Sequence, residues 1–270
     1  MNKLPLYWVD AFTAKIFSGN PAAVVPLTAW LPDELMQRIA FENGLAETAF
    51  FVPAKPPSEA LAKEGRYHLR WFTPAVEVDL CGHATLASAF VLFTQLGLAG
   101  DTVTFDSRSG PLVVTRRANG LLELDFPSRP AQSCAISASL VLALGAQPEY
   151  AAQARDTLCI FPREEDVRAL RPDFTALAKL DTYAVIATAP GRDCDFVSRF
   201  FAPRAGINED SVTGSAHCTL TPYWAGRLGK TKLHARQVSA RGGELWCEQR
   251  GDRVGIAGHA VLYLRGEIEV

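Results

Sequence analysis

An internal repeat constrains the fold of this sequence more than any other feature. Five matches share one offset of 132 positions: Gly82 with Gly214, Ala84 with Ala216, Leu96-Gly97 with Leu228-Gly229, Ser107 with Ser239, and Gly110 with Gly242. Just upstream, Phe72-x-Pro74 matches Phe201-x-Pro203 at an offset of 129, which implies a three-residue insertion before the second loop. An offset that holds over this length predicts a duplication, and therefore two similar domains.

The stretches around the matched positions predict the same elements in each half. "YHLRWF" alternates apolar and polar residues as a strand does, and "CDFVSRFF" takes its place in the second half. A long apolar run follows each strand and stops at Gly97 or Gly229, and glycine suits the position after a helix end. Turns are predicted next, at Asn119-Gly120 and at Arg250 to Asp252. Because each helix has little polar face, we expect it to be buried and wrapped by its own sheet.

An earlier helix and strand complete the prediction for the first half. "LPDELMQRIAFENG" predicts a helix with Pro32 in its first turn and Gly44 past its end. "ETAFFVP" then predicts a strand. The sequence therefore predicts an α+β fold of two similar domains, residues 1–128 and 129–270, with a cleft between them.

Composition argues against several classes of partner. The 270 residues have a formal net charge of -2, so no basic surface favours nucleic acid or an anionic membrane. The longest apolar stretch, Ala84 to Leu98, is interrupted by polar residues and is too short to span a bilayer. The N-terminus lacks the long apolar region of a signal peptide. We therefore expect no membrane and no nucleic acid among the partners.

The cysteines and histidines favour a reduced protein without a metal. Six cysteines are scattered without a C-x-x-C motif, which is typical of reduced thiols and a cytoplasmic location. The five histidines lack zinc-ligand spacing, so we expect no metal site.

Two matched loops provide the first indication of function. Each delivers the chain from a strand to a helix start at a glycine, Gly82 or Gly214. The first N–H groups of a helix lack partners and, with the helix dipole, form an anion site. A pair of such loops favours a small anionic ligand held in the cleft, whereas either loop alone could be only a structural cap.

The residues at matched positions in the two loops differ. Cys81 corresponds to Thr213 and His83 to Ser215. Two opposed cysteines would indicate a racemase with one base on each face of the carbon, but this chain has a thiol on one side only. Cys218 lies more than a helical turn beyond Thr213, where a buried structural thiol is the simpler interpretation.

Four stretches resemble motifs of a known family. They are "GNPAAVV" from Gly19, "NGLAETAFF" from Asn43, "LRWFTPAVEVDLCGHATLASA" and "EDSVTGSAH". In this order they are similar to the PhzF family, the phenazine-biosynthesis isomerase-like proteins with the diaminopimelate epimerase fold. The resemblance implies two pseudo-symmetric domains, each a curved sheet around a central helix, with the site between them. It also implies a homodimer and neither a metal nor an organic cofactor.

The resemblance assigns roles to particular residues. The family's catalytic glutamate falls on Glu47, its Gly-His loop on Gly82 and His83, and its aspartate on Asp210. Its Gly-Ser pair falls on Gly214 and Ser215, which would bind a substrate carboxylate. Asn20 is expected to support the site from the first motif.

Each assignment has a physical interpretation and a structural alternative. Glu47 follows the predicted helix end at Gly44, where burial would favour the protonated form and suit a group that takes and returns a proton. It could instead be a helix-end carboxylate with a counterpart in "LDTYAVIA". His83 could orient substrate or shuttle a proton, or be a satisfied loop histidine. Asp210 could bind a substrate amine or hydroxyl, pair with His83, or cap the helix.

The function predicted is a cofactor-independent isomerase that moves a proton within a small carboxylate-bearing metabolite. Glu47, His83 and Asp210 would be catalytic, and Asn20, Gly82, Gly214 and Ser215 would bind substrate. An epimerase or racemase of a small amino or hydroxy acid and a noncatalytic anion-binding protein are the alternatives. A hydrolase built on Ser215 and His217 is disfavoured, because residues two apart on a helix point in different directions. "GRLGKT" lacks P-loop spacing.

Overall fold

The structure is a computed structural model that describes residues 3–54 and 65–270. The elements up to residue 127 are, in chain order, β1 (Lys3–Ala11), β2 (Asn20–Pro26), α1 (Asp33–Asn43), β3 (Glu47–Pro53), β4 (Arg66–Phe72), β5 (Glu77–Val78), α2 (Gly82–Thr94), β6 (Thr102–Ser107), β7 (Gly110–Arg116) and β8 (Leu122–Pro127). The strands and helices predicted for this half are confirmed. Gly44 adopts the left-handed conformation at the end of α1, where its N–H bonds to the carbonyls of Ala40 and Phe41.

The second half repeats this order with additional short helices. Its elements are β9 (Gln132–Ser133), α3 (Ala138–Leu144), β10 (Tyr150–Gln153), β11 (Thr157–Ile160), α4 (Glu164–Ala169), α5 (Phe174–Leu177), β12 (Val185–Pro190), β13 (Phe196–Ala202), β14 (Ile207–Asp210), α6 (His217–Leu228), β15 (Lys232–Gln237), β16 (Gly243–Arg250), β17 (Arg253–Gly258) and β18 (Ala260–Glu269). Short 3₁₀ turns occupy Pro203–Ala205 and Gly214–Ala216.

Strand pairing confirms the duplication. In the first half β1 to β4 pair in order and β6 follows β4, with β2–β3 and β4–β6 parallel and the other pairs antiparallel. In the second half β10 to β13 and β15 show the same sequence of parallel and antiparallel pairs. In each half a short strand pairs antiparallel with the C-terminal end of a longer one: β5 with β4, and β14 with β13. The two halves are therefore built on one strand plan.

The chain forms two compact units, one of residues 1–125 and 257–270 and the other of residues 126–256. The first crossing between units lies close to the predicted boundary at residue 128. The second crossing differs from the prediction, which assigned the C-terminal residues to the second domain. These residues belong with the first unit because β18 pairs antiparallel with the whole of β1. Across residues 3–54 and 65–270, no helix has the length and apolar character needed to cross a bilayer.

The helix α2 is buried on nearly every side, as expected from its lack of a polar face. It packs against β18, β1, β2 and β3 and also against β7, which lies towards the other end of the first unit's sheet. The sheet therefore curves around the helix. The polar side chains inside α2 bond back along it: Thr85 Oγ1 donates to the Cys81 carbonyl at 2.6 Å and Ser88 Oγ to the Ala84 carbonyl at 2.8 Å.

The helix α6 is the counterpart of α2 but begins differently. Its first turn, Gly214–Ala216, is 3₁₀, and the α-helix starts only at His217. Pro222 lies within α6 and lacks an N–H, so it leaves the Cys218 carbonyl without its helical partner. The N–H of Arg129 donates to that carbonyl at 2.9 Å. The Cys218 carbonyl therefore has a hydrogen-bond donor despite the proline.

The hairpin after each buried helix corrects one part of the predicted repeat. Ser109 Oγ donates to the Asp79 carbonyl at 2.9 Å, and Ser239 Oγ donates to the Ser211 carbonyl at 2.7 Å. Asp79 and Ser211 are 132 positions apart, but Ser109 and Ser239 are 130 apart. The match of Ser107 with Ser239 was therefore wrong. The second hairpin also has a turn longer by three residues, since Ser107 pairs with Gly110 but Gln237 pairs with Gly243.

Candidate functional site

The first loop brings Glu47 and His83 together. Glu47 is the first residue of β3, beside Ala22 of β2, and its side chain is only 11% exposed. His83 is the second residue of α2, and its side chain is 6% exposed. The two side chains meet with Nε2 of His83 3.1 Å from Oε2 of Glu47. Residues from separate elements thus form one buried acid–base pair.

Asn20 determines which nitrogen of His83 faces Glu47. Nδ2 of Asn20, an amide donor, lies 3.1 Å from Nδ1 of His83. When the ring is neutral, Nδ1 accepts this bond and the proton is on Nε2. When the ring is an imidazolium, both nitrogens donate, and Asn20 can then accept only through Oδ1. Asn20 is held for this contact by the preceding Gly19, whose φ is +67° and where a Cβ would lie 2.2 Å from the Ala11 carbonyl oxygen.

Cys81 adds a thiol to the same cluster. It precedes α2 in an extended conformation, and its Sγ lies 3.5 Å from Nδ1 of His83. Burial, reinforced by the nearby Glu47 carboxylate, raises the pKa of the Cys81 thiol. At neutral pH the thiol is therefore protonated, and the sequence assigned it no role.

The charge on His83 is set by opposing effects. Burial alone would lower the pKa of His83, but the neighbouring Cys81 and Glu47 outweigh it and raise that pKa well above its ordinary value. Of these two neighbours, the Glu47 carboxylate lies 3.1 Å from Nε2 and the Cys81 sulfur lies 3.5 Å from Nδ1. The pair thus holds a proton that it can exchange.

The contact between Glu47 and His83 leaves both atoms poorly satisfied. Within residues 3–54 and 65–270, neither Oε2 of Glu47 nor Nε2 of His83 has a hydrogen bond of good geometry, although both are shielded from solvent. Buried polar atoms are usually hydrogen-bonded, and exceptions cluster where a site is prepared for a ligand or a reaction. The pair is therefore the strongest candidate for chemistry in the first unit.

Strand register tests the alternative for Glu47. Thr48 pairs with Phe72, and Val185 pairs with Phe201, the counterpart of Phe72 in the repeat. The position that matches Glu47 is consequently Ala184. The second half has no carboxylate there, so Glu47 is not a feature that the duplicated framework requires.

The second loop is organised around Asp210 and Gln237. Thr213 Oγ1 donates to Oδ2 of Asp210 at 2.6 Å. Oε1 of Gln237 accepts from the Thr213 N–H at 2.8 Å, and its Nε2 donates to the Asp210 carbonyl at 2.8 Å. Gln237 is 1% exposed, so these bonds are shielded from water. The sequence prediction missed Gln237, because nothing in its local pattern marks it.

Gly214 and Ser215 lie where the sequence placed them, at the start of the turn before α6. Gly214 is buried and Ser215 is half-buried. His217 is fully buried, and its Nδ1 donates to the Thr213 carbonyl at 2.9 Å. Its Nδ1 is therefore occupied by the backbone, which argues against a hydrolase built on Ser215 and His217. The atomic contacts group Glu47, His83, Asn20 and Cys81 in one unit, and Asp210, Thr213 and Gln237 in the other.

A repeated ion pair supports both loops and was also missed. Arg70 pairs bidentately with Glu77, with N···O distances of 2.7 and 2.8 Å, and Arg199 pairs with Glu209 at the same distances. Each guanidinium also lies over the phenylalanine two residues on, Phe72 or Phe201. An offset of 129 matches the arginines and one of 132 the glutamates. The insertion between them hides the pair from a search at one offset.

The first unit also groups side chains that can bind metals. Ligand atoms of Glu47, Cys81 and His83 all lie within 4.8 Å of one another. The spacing of histidines predicted no metal site, but that criterion misses ligands contributed by separate elements. Thiolate, imidazole and carboxylate together are a donor set that zinc accepts.

This fold is that of the diaminopimelate epimerase type. A hydroxyproline epimerase from Agrobacterium vitis has the same fold at 10% identity, with a TM-score of 0.62 over 98% of this chain and 92% of its own. At that identity the likeness concerns the fold alone.

Sequence comparison then identifies the family. The family model for phenazine biosynthesis-like protein, PhzC-PhzF, matches residues 9–266, and the chain belongs to this family. An uncharacterized isomerase of Pseudomonas aeruginosa is 53% identical over 270 residues, 99% of each chain. The crystal structure of a PhzF-family phenazine biosynthesis protein from Enterococcus faecalis is similar with a TM-score of 0.94 at 48% identity, over 100% of both chains. The protein is an enzyme of the isomerase class.

Proposed function

We propose that this isomerase moves a proton within a small carboxylate-bearing metabolite, with Glu47 as the group that removes and returns the proton. The observation that supports this most directly is the 3.1 Å approach of Glu47 Oε2 to His83 Nε2 in a buried setting. General acid–base catalysis by a positioned side chain typically contributes about 10²- to 10⁴-fold to a rate.

Glu47 and the loop at the start of α2 together carry out the proton transfer. In the resting enzyme His83 holds the proton and Glu47 is the carboxylate that faces it. Substrate binding turns Glu47 towards the reacting carbon, from which it takes a proton as an electron pair moves into the adjacent unsaturated system. Glu47 then delivers the proton to another carbon, while Asn20 keeps the His83 ring in place and Gly82 lets substrate approach the helix start. No metal or organic cofactor takes part in these steps.

The second loop serves the same reaction through binding. The N–H groups of Gly214 and Ser215, with the Ser215 hydroxyl, bind the carboxylate of the substrate. Asp210, fixed through Thr213, binds an amine or hydroxyl of the substrate and orients it for proton transfer. The sequence predictions of a cytoplasmic location and of a homodimer stay predictions.

The test is a panel of small unsaturated and hydroxylated carboxylic acids in D₂O, with product and carbon-bound deuterium followed together. Wild type should form an isomer and incorporate deuterium with at least one compound, and Glu47→Gln should lose both. Glu42→Gln, which removes an exposed carboxylate from α1, is the matched control and should behave as wild type. If Glu47→Gln retained full isotope exchange, Glu47 would not be the base.

Two alternatives make different predictions in the same assay. An epimerase would exchange deuterium at one carbon with inversion of that carbon and no change in bond positions. A noncatalytic binding protein would bind compounds of the panel equally in wild type and in Glu47→Gln, with no exchange in either.

A further inference from the structure

The cluster of Glu47, Cys81 and His83 combines features that proton transfer does not need. A thiol, an imidazole and a carboxylate converge within 4.8 Å from the start of β3 and the start of α2. The proposed reaction uses Glu47 and His83, and it leaves Cys81 without a task. Oε2 of Glu47 and Nε2 of His83, two atoms that can bind a metal, are also without good hydrogen bonds in the described chain.

The distances between these atoms resemble those in a tetrahedral zinc site. Ligands at zinc–nitrogen and zinc–oxygen bonds of about 2.0 Å are separated by roughly 3.3 Å, and the Glu47 and His83 atoms are about that far apart. Their observed separation is 3.1 Å. Ligand atoms of the three residues lie within 4.8 Å of one another, and Cys81 Sγ lies 3.5 Å from Nδ1 of His83. The thiol therefore has to turn from the Nδ1 side of the ring towards Nε2 to reach the roughly 3.6 Å that separates sulfur and nitrogen ligands of zinc.

Asn20 contacts Nδ1 of His83, the ring nitrogen that does not face Glu47, and can therefore fix the ring of a metal-bound histidine. A histidine that binds metal through Nε2 donates its Nδ1–H to an acceptor, which fixes the ring. The side-chain amide of Asn20 lies 3.1 Å from Nδ1 of His83. Rotating that amide by half a turn replaces its N–H with Oδ1, the acceptor that the metal-bound imidazole requires.

We propose that Glu47, Cys81 and His83 form an inhibitory site for a thiophilic divalent cation such as Zn²⁺. Binding removes the thiol proton of Cys81 and the Nε2 proton of the His83 imidazolium, both of which leave to solvent, and forms bonds from the metal to Sγ, Nε2 and Oε2, with no change in oxidation state. The fourth position of the metal stays open to water. That the bound cation inhibits rests on the proposed function, because a Glu47 oxygen bound to metal cannot take a proton from substrate.

Metal binding is measured without substrate, with Co²⁺ as the spectroscopic probe on the full chain. Wild type should bind one Co²⁺ with a thiolate-to-cobalt charge-transfer band and the visible bands of tetrahedral cobalt. Cys81→Ser should lose the charge-transfer band, and Glu47→Gln should keep it with affinity lowered by about 10-fold or more. Cys218→Ser removes another buried free thiol and should bind Co²⁺ as wild type does.

Several results would overturn the proposal. They are the lack of a thiolate band in folded wild type, persistence of the band in Cys81→Ser, or its loss in Cys218→Ser. Glu47→Gln provides a second variant should Cys81→Ser fail to fold, and unchanged affinity in it would remove Glu47 from the site.

The activity arm separates this proposal from the proposed function. With an active substrate, Zn²⁺ should abolish turnover in proportion to the metal bound, and a chelator should restore it. Binding of Co²⁺ by a protein that shows no Glu47-dependent proton transfer would support the metal site and contradict the isomerase mechanism. Proton transfer without metal binding would do the reverse.

Discussion

In the first unit the loop before α2 leaves buried polar atoms of Glu47 and His83 poorly paired, whereas in the second unit Gln237 satisfies the loop before α6. The framework around the two loops is the same. Each begins with an Arg–Glu ion pair and is fixed by a serine hydroxyl from the following hairpin. The two copies of the framework therefore differ in how fully their loops are hydrogen-bonded, and the proposed function assigns the reactive groups to the less satisfied one.

The two buried histidines make this difference measurable. His83 faces a carboxylate, and its pKa is raised well above the ordinary value. His217 donates to the Thr213 carbonyl, and burial lowers its pKa to about 4. In the repeat His217 corresponds to Thr85, and both side chains donate to the carbonyl four residues earlier. His217 is therefore bonded to its own helix, whereas His83 belongs to the proposed site.

The largest effect is expected from His83→Ser, which copies Ser215 into the first loop. With no imidazole to hold the proton beside Glu47, turnover should fall by about 10²- to 10⁴-fold. Steady-state kinetics on a substrate from the panel provides the measurement. His68→Ser, at an exposed position of β4, is the control and should retain wild-type turnover. Near-normal turnover in His83→Ser would place the chemistry elsewhere.

Removing the second copy of the ion pair should destabilise the protein more than removing the first. Arg199 is 9% exposed and also donates to the Val167 and Leu170 carbonyls, so Arg199→Met removes the ion partner of Glu209 and one hydrogen bond to each carbonyl. We expect a loss of about 3–5 kcal/mol in the free energy of unfolding. Arg70→Met should lose less, because Arg70 is more exposed. Urea unfolding of both variants measures this, and equal losses would contradict the comparison.

His217 should make stability depend on pH on the acid side. The folded pKa is about 4, below the roughly 6.5 of an unfolded histidine, so the unfolded state binds more protons between these values. The free energy of unfolding therefore falls by on the order of 3 kcal/mol as the pH drops from about 6.5 to about 4. His217→Thr, which copies Thr85, should remove this slope. An unchanged slope in urea unfolding between these pH values would show that another group is responsible.

The smallest effect is expected from Gln237→Met, which keeps the side-chain shape but removes both the donor and the acceptor of its amide. The Thr213 N–H and the Asp210 carbonyl then lose their bonds to Gln237, and the free energy of unfolding should fall by about 1–3 kcal/mol. Because Asp210 is held through Thr213, KM should rise while kcat changes less. Gln132→Met, at an exposed position of β9, is the control. A fall in kcat alone would indicate that Gln237 acts on the chemistry.

The framework could be predicted from the sequence because glycines at the helix ends and the apolar pattern of the helices and strands mark the repeat. Gly97 and Gly229 both adopt positive φ where the helix ends were predicted. The return of β18 to the first unit could not be predicted, because strand pairing across the length of the chain leaves no local pattern. Cys81 and Gln237 were missed as parts of their clusters for a similar reason, since their partners are contributed by separate elements.

The most direct test of the account is an NMR titration of the His83 and His217 imidazoles in wild type and in Glu47→Gln. His83 should titrate well above its ordinary pKa in wild type. The stability that its charged form contributes is then fully present below the unfolded pKa and is lost as pH rises through the folded pKa. In Glu47→Gln that pKa should fall, because burial and Cys81 then act without the carboxylate, while His217 stays near 4 in both proteins. A His83 pKa that is the same in both proteins would show that Glu47 and His83 do not share a proton, and would contradict the account.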